Sequence, residues 1–186
     1  MRSALVRTDR YSSVAIAFHW TIAALVIVNL ALGLFHDGLP RGWGVMPLHK
    51  ALGITVLALS LARLAWRVMH RPPPVARERP AWERGAALAT HWLFYALLIV
   101  LPMSGWAMSS YGDPAPRPLT WFGLFAIPYL PVTKAGAGMA HDAHGVLGYA
   151  MTALVVLHIA AALRHHLILR DATLLRMLPM GGRARV

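Results

Sequence analysis

Four long apolar runs, separated by short polar segments, constrain this 186-residue chain more than any other feature of its sequence. A helix needs about 20 mostly apolar residues to cross the hydrocarbon core of a bilayer. The runs predict four such helices, at about 13–35, 48–69, 84–109 and 141–169. The sequence therefore predicts an all-α fold, an integral membrane four-helix bundle that forms one domain over residues 1–186, with a long loop at 110–140.

The composition agrees with a membrane protein. Hydrophobic residues make up 58% of the chain and charged residues only 13%, too few to cover the surface of a soluble domain. The net charge of +11 does not indicate a nucleic-acid partner, because the basic residues lie between the apolar runs and not on one soluble face. The absence of Cys excludes disulfides, iron–sulfur clusters and thiolate metal sites. Membrane lipid is the expected surrounding.

The basic residues also predict the orientation of the helices. Fourteen of the 18 Lys and Arg lie near the N-terminus, around the loop between the second and third helices, or around the C-terminal tail. Since Lys and Arg accumulate in cytoplasmic loops, both termini should be cytoplasmic. The first apolar run follows basic residues as a signal peptide does, but it is long enough to span the bilayer and is expected to stay attached. The other two loops hold the remaining four basic residues: Arg41, Lys50, Arg117 and Lys134.

Histidine is costly inside a membrane, and a histidine within a span is usually functional. Five of the ten histidines lie in or at the edge of the predicted spans: His19, His49, His91, His144 and His158. For any one of them, a structural hydrogen bond between helices is the alternative interpretation.

Depth counting sorts four of these histidines into two pairs. His144 and His158 lie fourteen residues apart, which is close to whole turns and corresponds to about 21 Å along one helix face. With the predicted orientation, His19 and His158 lie near the inner side, and His49 and His144 near the outer side. We call these the inner pair and the outer pair. Each joins two different helices, as a flat cofactor held from both faces requires.

The residue one turn after each of these four histidines is small: Ala23, Gly53, Gly148 and Ala162. Small residues leave room for a planar macrocycle, although ordinary close packing of helices uses them too. Two histidines are too few for a zinc site, whereas they fill both axial positions of a haem iron. The pattern thus predicts two haem groups roughly 20 Å apart that carry electrons across the bilayer. Arg63 and Arg67 on the inner side and Lys50 on the outer side are candidate partners for haem propionates.

The other histidines fit the pairs less well. His91 is followed one turn later by bulky Tyr95, so we interpret it as a residue that supports the inner site, lines a quinone site or is structural. His141 is the alternative to His144, but its spacing to His158 turns the two about 100° apart. Four histidines at the ends of the spans should be solvated: His36, His70, His165 and His166.

Taken together, these residues resemble the bacterial cytochrome b561 family, the small di-haem, quinone-linked cytochromes of the inner membrane. The resemblance covers nearly the whole chain and rests on the order and spacing of several motifs. In chain order they are Arg10-Tyr11-Ser12, Phe18-His19-Trp20, His49 with Gly53, Arg63-Leu64, His91, Leu101-Pro102, Gly105, His144, Leu147-Gly148-Tyr149, His158 to Leu163, His165-His166 and Asp171 to Pro179.

The resemblance implies two haem b groups, a ubiquinone partner that accepts or donates electrons, and His19, His49, His144 and His158 as the axial ligands. One branch of the family oxidises superoxide on the outer side and reduces ubiquinone. Superoxide, or a redox protein, is therefore an expected donor, and a superoxide:ubiquinone oxidoreductase is the candidate enzyme activity. Two alternatives stay open: a cytochrome b relay subunit of a multi-subunit dehydrogenase or hydrogenase, and a non-redox membrane protein with structural histidines.

Overall fold

The structure, a computed structural model, describes residues 10–70, 80–112, 114–116 and 119–179, and it leaves the side chain of Arg41 undescribed. The predicted orientation rests on the distribution of Lys and Arg. Eight of these residues lie outside the described part of the chain: Arg2, Arg7, Arg71, Arg77, Arg79, Arg117, Arg183 and Arg185.

The four predicted spans are confirmed as helices long and apolar enough to cross a membrane. They are α1 (Ser13–Phe35), α2 (Val45–Met69), α3 (Ala81–Ser109) and α4 (Lys134–Leu163), the last continued by a π-helical turn over Arg164–Ile168. Short 3₁₀ turns cover His36–Gly38, Arg41–Trp43 and Leu175–Met177. Two short strands, β1 (Thr120–Trp121) and β2 (Phe125–Ala126), form an antiparallel hairpin.

Three helices begin earlier than the apolar pattern predicts. For α4 the difference is seven residues, because the hydroxyl of Thr133 caps the helix by accepting a bond of 3.2 Å from the amide of Gly136. Gly136 and Gly138 follow this cap. Because glycine is a poor helix former, the sequence in this region does not indicate that a helix begins here. In α2, Pro47 lies in the first turn, where proline is tolerated. The loop predicted at 110–140 is therefore shorter.

The helices pack in chain order, α1 on α2, α2 on α3 and α3 on α4, with a smaller contact between α1 and α4. Large apolar side chains remain exposed around the outside, among them Val28, Val100 and Leu157. Lipid can cover such a surface, as it does in a membrane bundle. The buried core consists of Ile22, Val26, Val56, Leu97, Leu98 and Met151.

The hairpin folds back onto α2 at the end of the bundle opposite the termini, which we call the hairpin end. Phe122 and Gly123 form its turn with φ values of 49° and 76°. The indole nitrogen of Trp121 donates a hydrogen bond of 3.0 Å to the hydroxyl of Thr55. Leu119, at the base of the hairpin, is only 3% exposed. This part of the loop is thus fixed against the bundle.

The C-terminal residues form a strap across the other end, which we call the terminal end. Asp171 lies 2.7 Å from Nδ1 of His165 and accepts a bond of 2.8 Å from the amide of Thr173. Further along, the indole nitrogen of Trp20 donates to the carbonyl of Met177 at 2.6 Å. The strap, residues 170–179, therefore joins the end of α4 to the beginning of α1.

Candidate cofactor site

The structure brings the four paired histidines together across the bundle. The ring centres of His19 on α1 and His158 on α4 lie 6.2 Å apart, with an angle of 70° between their planes. The ring centres of His49 on α2 and His144 on α4 lie 6.0 Å apart, with an angle of 90°. Helix α4 contributes one histidine to each pair, at two levels about 21 Å apart by the helix rise.

The two rings of the outer pair are oriented by backbone carbonyl groups. Nδ1 of His49 lies 3.1 Å from the carbonyl oxygen of Asn29, and Nδ1 of His144 lies 3.1 Å from that of Leu101. A carbonyl oxygen only accepts, so each Nδ1 carries the proton and donates it. The lone pair of Nε2 is then available to a metal, which is the usual arrangement of a ligating histidine. Ser104 lies 3.1 Å from Nδ1 of His144 and reinforces its position.

Glycines on neighbouring helices make room for the same two rings. A Cβ atom at Gly33 of α1 would lie 2.9 Å from Cε1 of His49. A Cβ atom at Gly105 of α3 would lie 2.9 Å from Cε1 of His144. Cβ contacts this short essentially do not occur in proteins, so any larger residue would displace a ring. The sequence motif that contains Gly105 does not indicate this role, and no motif indicates Gly33, because neither glycine is close in sequence to the histidine that it contacts.

A cavity of about 400 Å³ surrounds the outer pair. Its volume falls within the usual range for small-molecule and cofactor sites. His49 and His144 line it together with apolar side chains and five glycines: Gly33, Gly53, Gly105, Gly145 and Gly148. The glycines predicted to lie one turn past the outer histidines thus border this cavity.

Both pairs fit a haem iron held from two sides. Bonds from a metal to imidazole nitrogen are about 2 Å long, so two rings on opposite sides of one ion have centres about 6 Å apart. The separations of 6.2 and 6.0 Å match this value. In the described part of the chain, no group of three or more His, Cys, Asp or Glu could hold a bare ion. A macrocycle would provide the missing equatorial ligands.

The inner pair has aromatic and basic neighbours. The ring centre of Trp20 lies 5.3 Å from that of His19, and the ring centre of Phe94 lies 5.1 Å from that of His158. A guanidinium nitrogen of Arg63 lies 3.5 Å from Nδ1 of His19, the outer limit of a hydrogen bond. The inner site is therefore bordered by a positive charge.

The two candidate outer ligands, His141 and His144, differ in their surroundings. His141 lies at the edge of the cavity, with 71% of its side chain exposed and Nδ1 3.5 Å from Asp142. His144 faces His49 instead. His91 lies half-buried on α3 and belongs to neither pair.

The prediction that His165 is solvated is wrong. Its side chain is only 15% exposed, because the strap covers it and Asp171 pairs with it. Of the other histidines expected to be solvated, His70 stacks on Trp66 with ring centres 3.7 Å apart, and His36 bonds the carbonyl of Gly33 at 2.9 Å. Local contacts at the helix ends, invisible in the hydropathy pattern, account for these positions.

A four-helix membrane bundle with facing histidines at two levels is the architecture of a membrane cytochrome b. The family model for prokaryotic cytochrome b561 matches residues 10–180, and the chain belongs to this family. Cytochrome b561 homolog 2 of Escherichia coli K12 is 35% identical over 178 residues, which cover 91% of this chain and 92% of that protein.

Two further relatives differ in their names but match along nearly their whole length. The Yersinia pestis protein named probable superoxide oxidase CybB is 32% identical, over 91% of this chain and 96% of its own. Cytochrome b562 of Cereibacter sphaeroides is 28% identical, over 90% and 94%. This protein is thus a bacterial membrane cytochrome b of electron transfer, a class for which haem b is the cofactor. The alternative of a non-redox protein is excluded by this membership.

Proposed function

We propose that the protein is a di-haem b cytochrome that transfers electrons across the bacterial inner membrane between an outer donor and the ubiquinone pool. The observation that carries the proposal is the use of α4 by both pairs: His144 and His158 share this helix, and each faces a histidine of another helix. Haem b supplies reversible one-electron chemistry when it is bound. His19 and His158 would hold the inner haem, and His49 and His144 the outer one.

The charges at the hairpin end support an anionic donor. His36, His141 and Asp37 line the cavity of the outer pair, with Asp37 3.2 Å from His36, and Lys50 lines it as a cation. Lys134 adds a further cation at the start of α4, whereas Arg117 lies outside the described residues. Cations at the entrance of a site attract small anions. Together with the similarity to the Yersinia pestis protein named probable superoxide oxidase, they lead us to propose superoxide as the donor.

Ubiquinone is the proposed partner on the inner side. His91 is half-buried on α3, one turn before Tyr95, and the nitrogens of its ring can form a hydrogen bond with a quinone oxygen. We assign it to a quinone site, because the quinone oxygens, which take up protons when the quinone is reduced to a quinol, need hydrogen-bonding partners to hold them. The proposed orientation, with both termini in the cytoplasm, places this site on the side where those protons are available.

Replacement of single histidines tests the haem assignment. His19→Ala and His158→Ala should each remove the inner haem, and His49→Ala and His144→Ala the outer one, as measured by haem content and by the reduced absorption spectrum of purified protein. His141→Ala is the control and should keep both haems. Loss of different haems from His19→Ala and His158→Ala, or a haem-replete preparation without a haem spectrum, contradicts the proposal.

A second experiment tests the donor and the acceptor. Superoxide should reduce the haems of the purified wild-type protein, and added ubiquinone should reoxidise them. Haems that stay oxidised in superoxide at every ionic strength would exclude this donor. Copurification of a stable dehydrogenase or hydrogenase would favour the relay-subunit alternative.

A further inference from the structure

Two arginines of α2 converge on one aromatic ring beside the inner pair. The guanidinium carbon atoms of Arg63 and Arg67 lie 5.7 and 5.6 Å from the ring centre of Tyr95 on α3. Arg63 also reaches to 3.5 Å from Nδ1 of His19 on α1. Tyr95 is only 8% exposed, and both arginines are half-buried beside its ring.

The level of Arg63 along α2 corresponds to that of the inner pair. It follows His49 by fourteen residues, the spacing that also separates His144 from His158, and so it lies on nearly the same helix face about 21 Å away. Helix α2 continues for six residues beyond it, or about 9 Å. This position is deep for a lipid headgroup and suits a group held at the level of His19.

Neither arginine is neutralised by a carboxylate in the described part of the chain. The ion pairs described there join histidines to Asp37, Asp142 and Asp171. Two neighbouring cations repel each other, and charges that are partly removed from water are unfavourable unless an anion balances them. A negatively charged ligand between the two arginines would balance these charges.

We propose that Arg63 and Arg67 bind the propionate carboxylates of the inner haem, an inference that rests on the proposed function of His19 and His158. Guanidinium groups match carboxylates with two parallel hydrogen bonds, and the face of Tyr95 keeps both guanidinium groups in place. Beyond retention of the cofactor, the two positive charges disfavour the ferric state, which carries one more positive charge than the ferrous state. They therefore raise the midpoint potential of the inner haem.

The test uses the purified His49→Ala variant. This variant should lack the outer haem, so that the inner haem is titrated alone. Arg63→Gln and Arg67→Gln, each added to this background, should lower the midpoint potential and speed the loss of haem to apomyoglobin. Arg63→Lys should restore most of the potential. Arg164→Gln is the matched control, since it removes an exposed charge at the same end of the bundle and should change neither quantity.

Unchanged potential and haem loss in both glutamine variants, or shifts no larger than those of Arg164→Gln, would overturn the proposal. An unchanged potential combined with a lost response to anionic phospholipid in nanodiscs would identify a lipid phosphate as the ligand instead. If Arg63→Gln binds no haem at all, its midpoint potential cannot be measured. The midpoint potential and the haem loss of Arg67→Gln and Arg63→Lys then test the proposal. Failure of the proposed function is recognised separately, because His19→Ala would then retain the inner haem.

Discussion

Gly33 of α1 lies so close to the imidazole of His49 on α2 that a Cβ atom at position 33 would stand 2.9 Å from Cε1 of the ring. The carbonyl of Asn29, one turn earlier on α1, accepts the bond from Nδ1 of the same ring. Helix α1 therefore positions the proposed outer ligand although it contributes no ligand to that pair. Gly105 and the carbonyl of Leu101 on α3 do the same for His144.

Replacement of Gly33 by alanine should release the outer haem and leave the inner one. The added methyl group displaces the ring of His49, because the ring cannot stay at its present position without a clash. Haem content and the reduced spectrum of purified protein measure the effect. Gly138→Ala is the control, since nothing lies within 4 Å of its Cβ position. A Gly33→Ala protein with both haems and unchanged spectra would contradict the role assigned to this glycine.

The bond from Trp121 to Thr55 should stabilise the packing of the hairpin on α2. Thr55→Val removes this bond and also the bond of 2.9 Å from Thr55 to the carbonyl of Ala51. Thr152→Val is a matched control, because it removes only an intrahelical bond, to the carbonyl of Gly148. The free energy of unfolding in detergent should fall by about 1 kcal/mol more for Thr55→Val than for Thr152→Val. Equal losses would mean that the hairpin bond adds nothing.

The hydrogen bond between Asp171 and His165 should keep the strap on the bundle. Asp171→Ala removes both this bond and the bond from the amide of Thr173. Cleavage by trypsin after Arg176 should then become about tenfold faster, which corresponds to about 1.4 kcal/mol for a lost bond to a charged group. Asp142→Ala is the control, since its side chain is 87% exposed. Equal cleavage rates in the two variants would show that other contacts, such as that of Trp20, hold the strap.

The orientation in the membrane can be measured with single cysteines, because the chain has none of its own. A membrane-impermeant maleimide should label Ala115→Cys in intact spheroplasts and should label Gly181→Cys only after the membrane is opened. The expectation follows from the fourteen basic residues on the side of the termini. Labelling of position 181 in intact spheroplasts would show that the topology is the opposite of the proposed one.

The sequence predicts the four helices and the levels of the paired histidines for a physical reason. Length and apolarity of a span are local properties of the chain, and the helix rise converts the fourteen residues between His144 and His158 directly into depth. The start of α4 at Lys134 was missed because Gly136 and Gly138 weaken the local helix signal, whereas the cap by Thr133 depends on the folded backbone.

Only the tertiary structure decided how each helix is rotated against its neighbours. That rotation places Gly33 against His49 and Gly105 against His144, and it leaves His141 at the edge of the cavity. It also brings Arg63 and Arg67 to one side of Tyr95. Such contacts join residues far apart in the chain and depend on the packing of whole helices. The spans and the spacing of the histidines along them follow from the order of residues in the chain, whereas the packing of the helices sets which side chains surround each pair.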